Sequence, residues 1–169
     1  MNCVNVVVRG NVGHDLNLSE IHSSYPSSKL YTSLPEMLVM KKDKITLILF
    51  KKGAFRFMGK VDPNQVDFHI LEFMDETPDL MFAMLGAHKE LQTQTFVYKL
   101  PGPVPIEKLS EGVCELELFP TRHLTQWKPM VVNVFASGRV VITGVKDEHV
   151  INDVILPELL ILYNKWILD

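Results

Sequence analysis

Little in this chain can staple, ligate or catalyse. Only two cysteines, Cys3 and Cys114, occur in 169 residues. That is too few for a disulfide framework and lacks the spacing of a zinc site, so both read as buried thiols of a reducing compartment. The histidines (His14, His22, His69, His88, His123 and His149) are scattered, with no HxH, HxxxH or Cys/His pairing, which excludes a histidine-built metal centre. Glycine-rich phosphate loops and nucleophile motifs are missing too, and Gly10-Asn-Val-Gly13 reads as a turn. Glu115/Glu117 and Asp147/Glu148 fit solvated strand ends and a helix N-terminus better than a catalytic pair. No enzyme activity, cofactor, metal or small-molecule substrate is expected.

Long apolar runs are absent as well. The C-terminal stretch VILPELLILYNKWIL is broken by Pro157, Glu158, Asn164 and Lys165 and falls short of the ~20 residues of a membrane span. The start, MNCVNVVVRG, has neither the charged region nor the apolar core of a secretory signal. A soluble, intracellular protein without a membrane partner is expected. Excess charge is also lacking: a net charge of −3 argues against a generally sticky nucleic-acid binder, while 47% apolar residues suffice for one well-cored domain.

What the chain does have is a copy of itself. Leu34-Pro35 is answered by Phe119-Pro120, Phe50 by Phe135, Gly53 by Gly138 and Gly59 by Gly144, each 85 residues later. The segments LILFKKGAFRFMGK (47–60) and VNVFASGRVVITGV (132–145) are therefore one unit written twice. Two repeats, 1–89 and 90–169, are expected to share one sheet. Pseudo-symmetric halves suit partners of two-fold character, duplex DNA among them. Charge follows position: residues 41–60 hold seven Lys or Arg against Asp43, and residues 62–79 hold six Asp or Glu and no Lys or Arg. Either these are two solvated faces, or a basic strand pair lies beside an acidic helix for a purpose.

The pattern predicts strands at 4–9, 37–40, 45–50 and 54–58, and a short helix from Asn17 that Tyr25-Pro26 breaks. A helix is predicted from Pro63 to about Met74, capped by Asp62, with a continuation over 81–89 after Thr77-Pro78. The second half predicts a strand at 95–100, a PGPVP link, a short helix at 106–111 and strands near 113–119, 130–135 and 139–143. A final helix runs from about Asp147, and Pro157 must kink it or start a new segment. Its apolar residues, from Val150 to Ile167, serve burial on the sheet or an added partner surface. In ITLILF, Ile45, Leu47 and Leu49 share one face, and Thr46, Ile48 and Phe50 the other. If helices cover the first face, the second stays apolar, with Ile48, Phe50, Val131 and Phe135. It is then a binding surface or packs on another layer.

The order NVVVRGNVGHDLNL (5–18), ELFP (117–120), WKPMVVNVF (127–135) and SGRVVITGVK (137–146) resembles the TATA-box-binding protein family, over nearly the whole chain in element order. The resemblance implies an α+β fold of two direct repeats forming a pseudo-two-fold saddle, with about ten antiparallel strands and helices on the convex face. It implies DNA wedges at Leu34, Phe50, Phe119 and Phe135, where stiff apolar side chains replace a stacking neighbour. Leu34 departs from phenylalanine and implies a weaker kink at that end.

Minor-groove contacts are implied at Asn5, Ile48, Arg56, Thr95, Val131, Asn133, Val141 and Thr143. Thr95 stands in for one family Asn and Met58 for one Thr, so half of the hydrogen-bonding quartet is kept. Phosphate contacts are implied at Lys41, Lys42, Lys44, Lys51, Lys52, Lys60, Arg139 and Lys146. The function implied is a DNA-binding transcription-initiation factor. It would bend A·T-rich double-stranded promoter DNA through the minor groove and recruit initiation factors or RNA polymerase through its convex helices. Such drift would suit a viral or fast-evolving lineage. The expected place is the nucleus, or the cytoplasm for a virus replicating there. The alternative is a protein-interaction module that kept the fold and lost sequence-specific DNA binding, with salt dependence separating the two.

Overall fold

Alternation of buried and half-exposed residues organises both halves of the chain. The structure, a computed structural model, describes residues 1–117 and 120–168. It resolves into a first unit, Asn5–Gln92, and a second unit, Met1–Val4 with Thr93–Asp169. The chain runs β1 (Asn2–Asn11), α1 (Leu18–Ser24), β2 (Lys29–Tyr31), β3 (Met37–Lys42), β4 (Ile45–Phe50), β5 (Ala54–Gly59), a 3-10 turn (Pro63–Gln65), α2 (Val66–Phe73), α3 (Pro78–Gly86) and β6 (Lys89–Lys99). It continues through β7 (Val113–Glu115), β8 (Thr121–Leu124), β9 (Val131–Phe135), β10 (Arg139–Val145), α4 (Glu148–Val150), a π-helical turn (Ile151–Ile155) and α5 (Leu156–Leu168). The strands form a ten-stranded sheet in the order β2-β3-β4-β5-β1-β6-β10-β9-β8-β7. Pairs within each unit are antiparallel.

In the first unit the apolar side of each strand is fully buried: Leu38, Leu47, Leu49, Phe55 and Phe57 are shielded from solvent. Val66, Ile70 and Phe73, the i, i+4, i+7 stripe of α2, are buried as well. Phe57 joins the layers, meeting Phe55 edge-on at 6.3 Å and Phe73 at 5.8 Å. Burying each such ring contributes roughly 1.5–3 kcal/mol. Asp62 opens the helical region as expected, its side chain accepting from the Asn64 amide at 2.9 Å with Pro63 next. Helix α3 departs from expectation. It starts at Pro78 itself, since a proline at the first position gives up an amide that would have no helical partner. It ends at Gly86, where the Lys89 ammonium donates to the carbonyls of Met84, Leu85 and Ala87 at 2.8–3.0 Å.

The second unit repeats this logic with smaller residues. Val132, Val134, Val140 and Ile142 are fully buried and face Ile151, Ile155, Leu159, Tyr163 and Trp166. The turn at Pro157 is handled by a change of helical register: the Leu156 amide bonds back five residues to Ile151. A proline one position later has no amide to give, so the wider turn accommodates it. The helix expected at 106–111 is not formed; that stretch is turn and bend. Its carbonyls are taken by Arg122, 6% exposed, whose guanidinium donates to Ile106 (3.0 Å), Leu109 (2.5 Å) and Gly112 (3.4 Å). A buried cation needs acceptors of this kind, and the loop supplies them. Strands β2 and β8 lay outside the expected strands, and the strand expected at 113–119 closes at Glu115, with 118 and 119 outside the described residues.

The repeat is visible in hydrogen bonds as well. The Gly53 amide bonds Phe50 at 3.0 Å and the Gly138 amide bonds Phe135 at 2.8 Å, with φ of 95° and 84°. A side chain at either glycine would be strained there and would meet the carbonyl of His14 or Gly102. The Leu16 amide bonds Lys51 and the Val104 amide bonds Ala136, tying the preceding loop to the same turn in each unit. Here the offset is 88 (16 to 104), not 85: buried Leu16, Leu18 and Ile21 correspond to buried Val104, Ile106 and Leu109.

Candidate nucleic-acid interface

Opposite the helix-covered side the strands present mostly half-exposed or exposed residues, with Val7 and Thr121 buried among them, and the strand registers set them in rows. Across the first unit one row reads Lys29, Val39, Ile48, Arg56, Arg9 and the next reads Lys41, Thr46, Met58, Val7. Tyr31, Met37 and Phe50 form a third. Across the second unit the matching rows read Val113, His123, Asn133, Val141, Val97 and Glu115, Thr121, Phe135, with Val131 beside Thr143. The open face expected from alternation therefore exists in each unit; it carries Ile48 and Phe50 in the first, and Val131, Asn133, Phe135, Val141 and Thr143 in the second.

Phe50 and Phe135 occupy the same corner of the same turn, each giving its carbonyl to the glycine three residues on. Both are half-buried. The guanidinium of Arg56 lies 5.4 Å from the Phe50 ring centroid, a cation–π distance. Leu34 is 94% exposed in the bend before β3. Phe119 lies outside the described residues.

Asn133 does not point a free amide at solvent. Its Oδ1 is hydrogen-bonded to Nδ1 of His123, whose Nε2 meets Glu115 Oε2 at 3.1 Å. Asn5 is half-buried on β1. Arg9 faces Arg56 and Val97 faces Val141, an offset of 88 along β1 and β6 that holds up to the register irregularity between Ile142 and Val145. Thr93 Oγ1 is buried and has no hydrogen-bond partner among the described residues. Thr95 sits two residues along, half-buried.

The cations of 41–60 divide. Lys41, Lys42, Lys44 and Lys60 lie at one end of the β4–β5 hairpin and Lys51 and Lys52 at the other, about 17 Å apart by strand rise. Lys41 alternates onto the open face with Thr46, whereas Lys42 turns to the helix side, its Nζ 3.4 Å from the Glu72 carbonyl. Lys51 pairs with Glu36 at 3.4 Å and Lys52 with Asp15 at 3.8 Å. Both pairs are exposed and hold little, on the order of 0–1 kcal/mol. Lys44, Lys60, Arg139 and Lys146 are exposed. Arg9 was not among the sequence candidates, although β1 alternation, with Val6 and Val8 buried, already put it on the face of Asn5 and Val7.

On the other side, α2 and α3 expose Phe68 (66%), Leu71 and Phe82 (66%) among Asp67, Glu72, Asp75, Glu76 and Asp79. Tyr25 braces the segment between these helices, its hydroxyl 2.9 Å from Thr77 Oγ1 and accepting from the Glu76 amide at 3.1 Å. Burial raises its pKa. Among the described residues no group of His, Cys, Asp and Glu could hold a metal, and no helix is long and apolar enough to cross a membrane.

No protein-family model matches the chain. Two curated proteins do, both named TATA-box-binding protein. That of Methanocaldococcus jannaschii is 27% identical over 155 residues, covering 86% of this chain and 84% of the relative. That of Methanococcus aeolicus is 28% identical over 159 residues, with the same coverage. A solved structure, Methanococcus jannaschii TBP, matches with a TM-score of 0.78 at 24% identity, over 97% of this chain and 98% of that one. The likeness shows the fold.

Proposed function

From the premise that the chain is a divergent relative within the TATA-box-binding protein family, we propose that it is a DNA-binding transcription-initiation factor. On this reading the open faces bind A·T-rich duplex DNA through its minor groove and bend it. The observation that carries the proposal is the pair Phe50 and Phe135, presented at identical turn corners beside half-exposed floors of Ile48, Val131 and Val141. An aromatic side chain so placed can enter an opened base step, at an unstacking cost of about a few kcal/mol that wider wrapping offsets. Thr143 supplies a hydroxyl suited to the acceptor-only edge of A·T pairs. Lys41, Lys44, Lys60, Arg139 and Lys146 supply phosphate contacts at the rims. The aromatic and acidic surface of α2 and α3 suits a basic, apolar-anchored segment of another initiation factor or a polymerase.

A second reading has its own support. In the second unit Glu115 shares the open face with Phe135, and His123 occupies Asn133, which fits a protein-interaction module better than a phosphate-lined groove. One experiment separates them. A fluorophore-labelled A·T-rich duplex is titrated at two salt concentrations with the protein and with its Phe50→Ala/Phe135→Ala variant. Salt-sensitive binding with end-to-end shortening that the variant loses supports the DNA reading. Absence of binding at low salt sinks it and leaves the interaction module.

A further inference from the structure

The least expected feature of the first unit's open face is two arginines set directly opposite each other. Arg9 on β1 and Arg56 on β5 are cross-strand partners. Like charges at that spacing repel and weaken a sheet. Each is held by something different. Arg56 lies over the Phe50 ring, while Arg9 Nε and Nη2 both reach Glu90 Oε1 on β6 in a close double contact. Arg9 and Glu90 are each about half exposed, and the two arginines edge a cleft of about 470 Å³ that Asn11 and His88 also line. Nothing in the core requires either charge: their counterparts in the second unit, Val97 and Val141, are valines facing each other at the same register.

A guanidinium pair flanked by Val39, Ile48 and Val7, with Lys29 and Lys41 on the same face, is suited to an anionic surface rich in acceptors. The minor groove of A·T-rich DNA is one, offering only acceptors at its floor and concentrating negative potential when narrow. We propose that Arg9 and Arg56 form a nucleic-acid contact site confined to the first unit, and that Glu90 is its internal competitor. Glu90 neutralises Arg9 in the free protein and must release it when the duplex arrives. This rests on the DNA-binding reading above. It adds to it an asymmetry: one half of the interface is electrostatic and self-restrained, and the other is not.

The test compares duplex affinity of the wild type, Glu90→Gln, Arg9→Gln and the double variant across a salt series, with thermal melts confirming that each folds. Glu90→Gln is expected to tighten binding about two- to fivefold, the weight of an exposed ion pair. It should also steepen the slope of log affinity on log salt by about one. Arg9→Gln weakens binding, and in its background Glu90→Gln no longer matters, because the carboxylate acts through that guanidinium. Tight, salt-sensitive binding by the wild type that ignores both substitutions overturns the competitor role and leaves the DNA reading standing. Failure of the wild type and Glu90→Gln alike to bind duplex at low salt overturns both. Weak binding by the wild type at low salt that tightens on Glu90→Gln supports the proposal most directly. Inorganic pyrophosphate serves as the control anion, and competition by it at concentrations far below those of the salt series overturns the assignment to duplex DNA.

Discussion

The two units agree on the side they bury and disagree on the side they show. Leu47, Leu49, Phe55 and Phe57 in the first unit are answered, 85 residues on, by Val132, Val134, Val140 and Ile142, all fully buried. On the open side Ile48 is answered by Asn133, Arg56 by Val141 and Met58 by Thr143. One face carries cations on an apolar floor, and the other a Glu115–His123–Asn133 chain. A covered position must fill space, and any apolar residue of fitting volume does so. An open position is constrained only by what it touches in solution. The difference therefore assigns the scaffold to the buried faces and the specificity to the open ones.

The comparison breaks first in the cores. Phe55→Ala should lose about 3–5 kcal/mol in urea unfolding, since the ring fills the space left by Gly10, where a Cβ would stand 2.3 Å from it. Val140→Ala, its counterpart, removes less volume and should lose clearly less. Equal losses would contradict a shared scaffold filled by unequal side chains. Next, Arg122→Ala should cost about 1–3 kcal/mol in a thermal melt, because carbonyls of the 106–112 loop lose their donors. Arg122→Lys should restore little of it, lacking the planar fork.

These two positions also mark the limits of reading the sequence. The alternation in ITLILF, the Asp62-Pro63 helix start and the Asn17 cap were legible because each signal lies within a few residues of its effect. The open-face positions of Phe50 and Phe135 followed from the same alternation. The loop at 106–111 was not legible, since Arg122, which holds its carbonyls, lies more than ten positions away. Arg9 and Glu90 are 81 residues apart, and no local pattern announces that they meet.

Sharpening the open-face contrast needs paired substitutions. Arg9→Gln/Arg56→Gln should flatten the salt dependence of duplex binding by about two in slope, whereas Val97→Gln/Val141→Gln should leave it unchanged. The smallest effect is an acid limb that belongs to the second unit. Hydrogen bonds from Lys165 (2.9 Å) and Trp166 (3.0 Å) lower the Glu111 carboxyl from 4.5 to about 2. The folded state thus favours the charged form. That stabilisation is whole above pH 4.5 and fades as pH falls toward 2. Glu111→Gln should flatten the melting temperature across that window, and an unchanged acid limb would remove Glu111 as its source.

The Lys89 ammonium gathers three carbonyls from the end of α3 and, at 3.1 Å, the carboxylate of Asp67 on α2, from a position at the first residue of β6. One side chain thereby ties the end of one helix, the start of another and the beginning of a strand. Such a tie does not fray piece by piece. The amides of α2, α3 and the opening of β6 should exchange with solvent as one cooperative block, at a common opening rate that Lys89→Met raises for all of them at once.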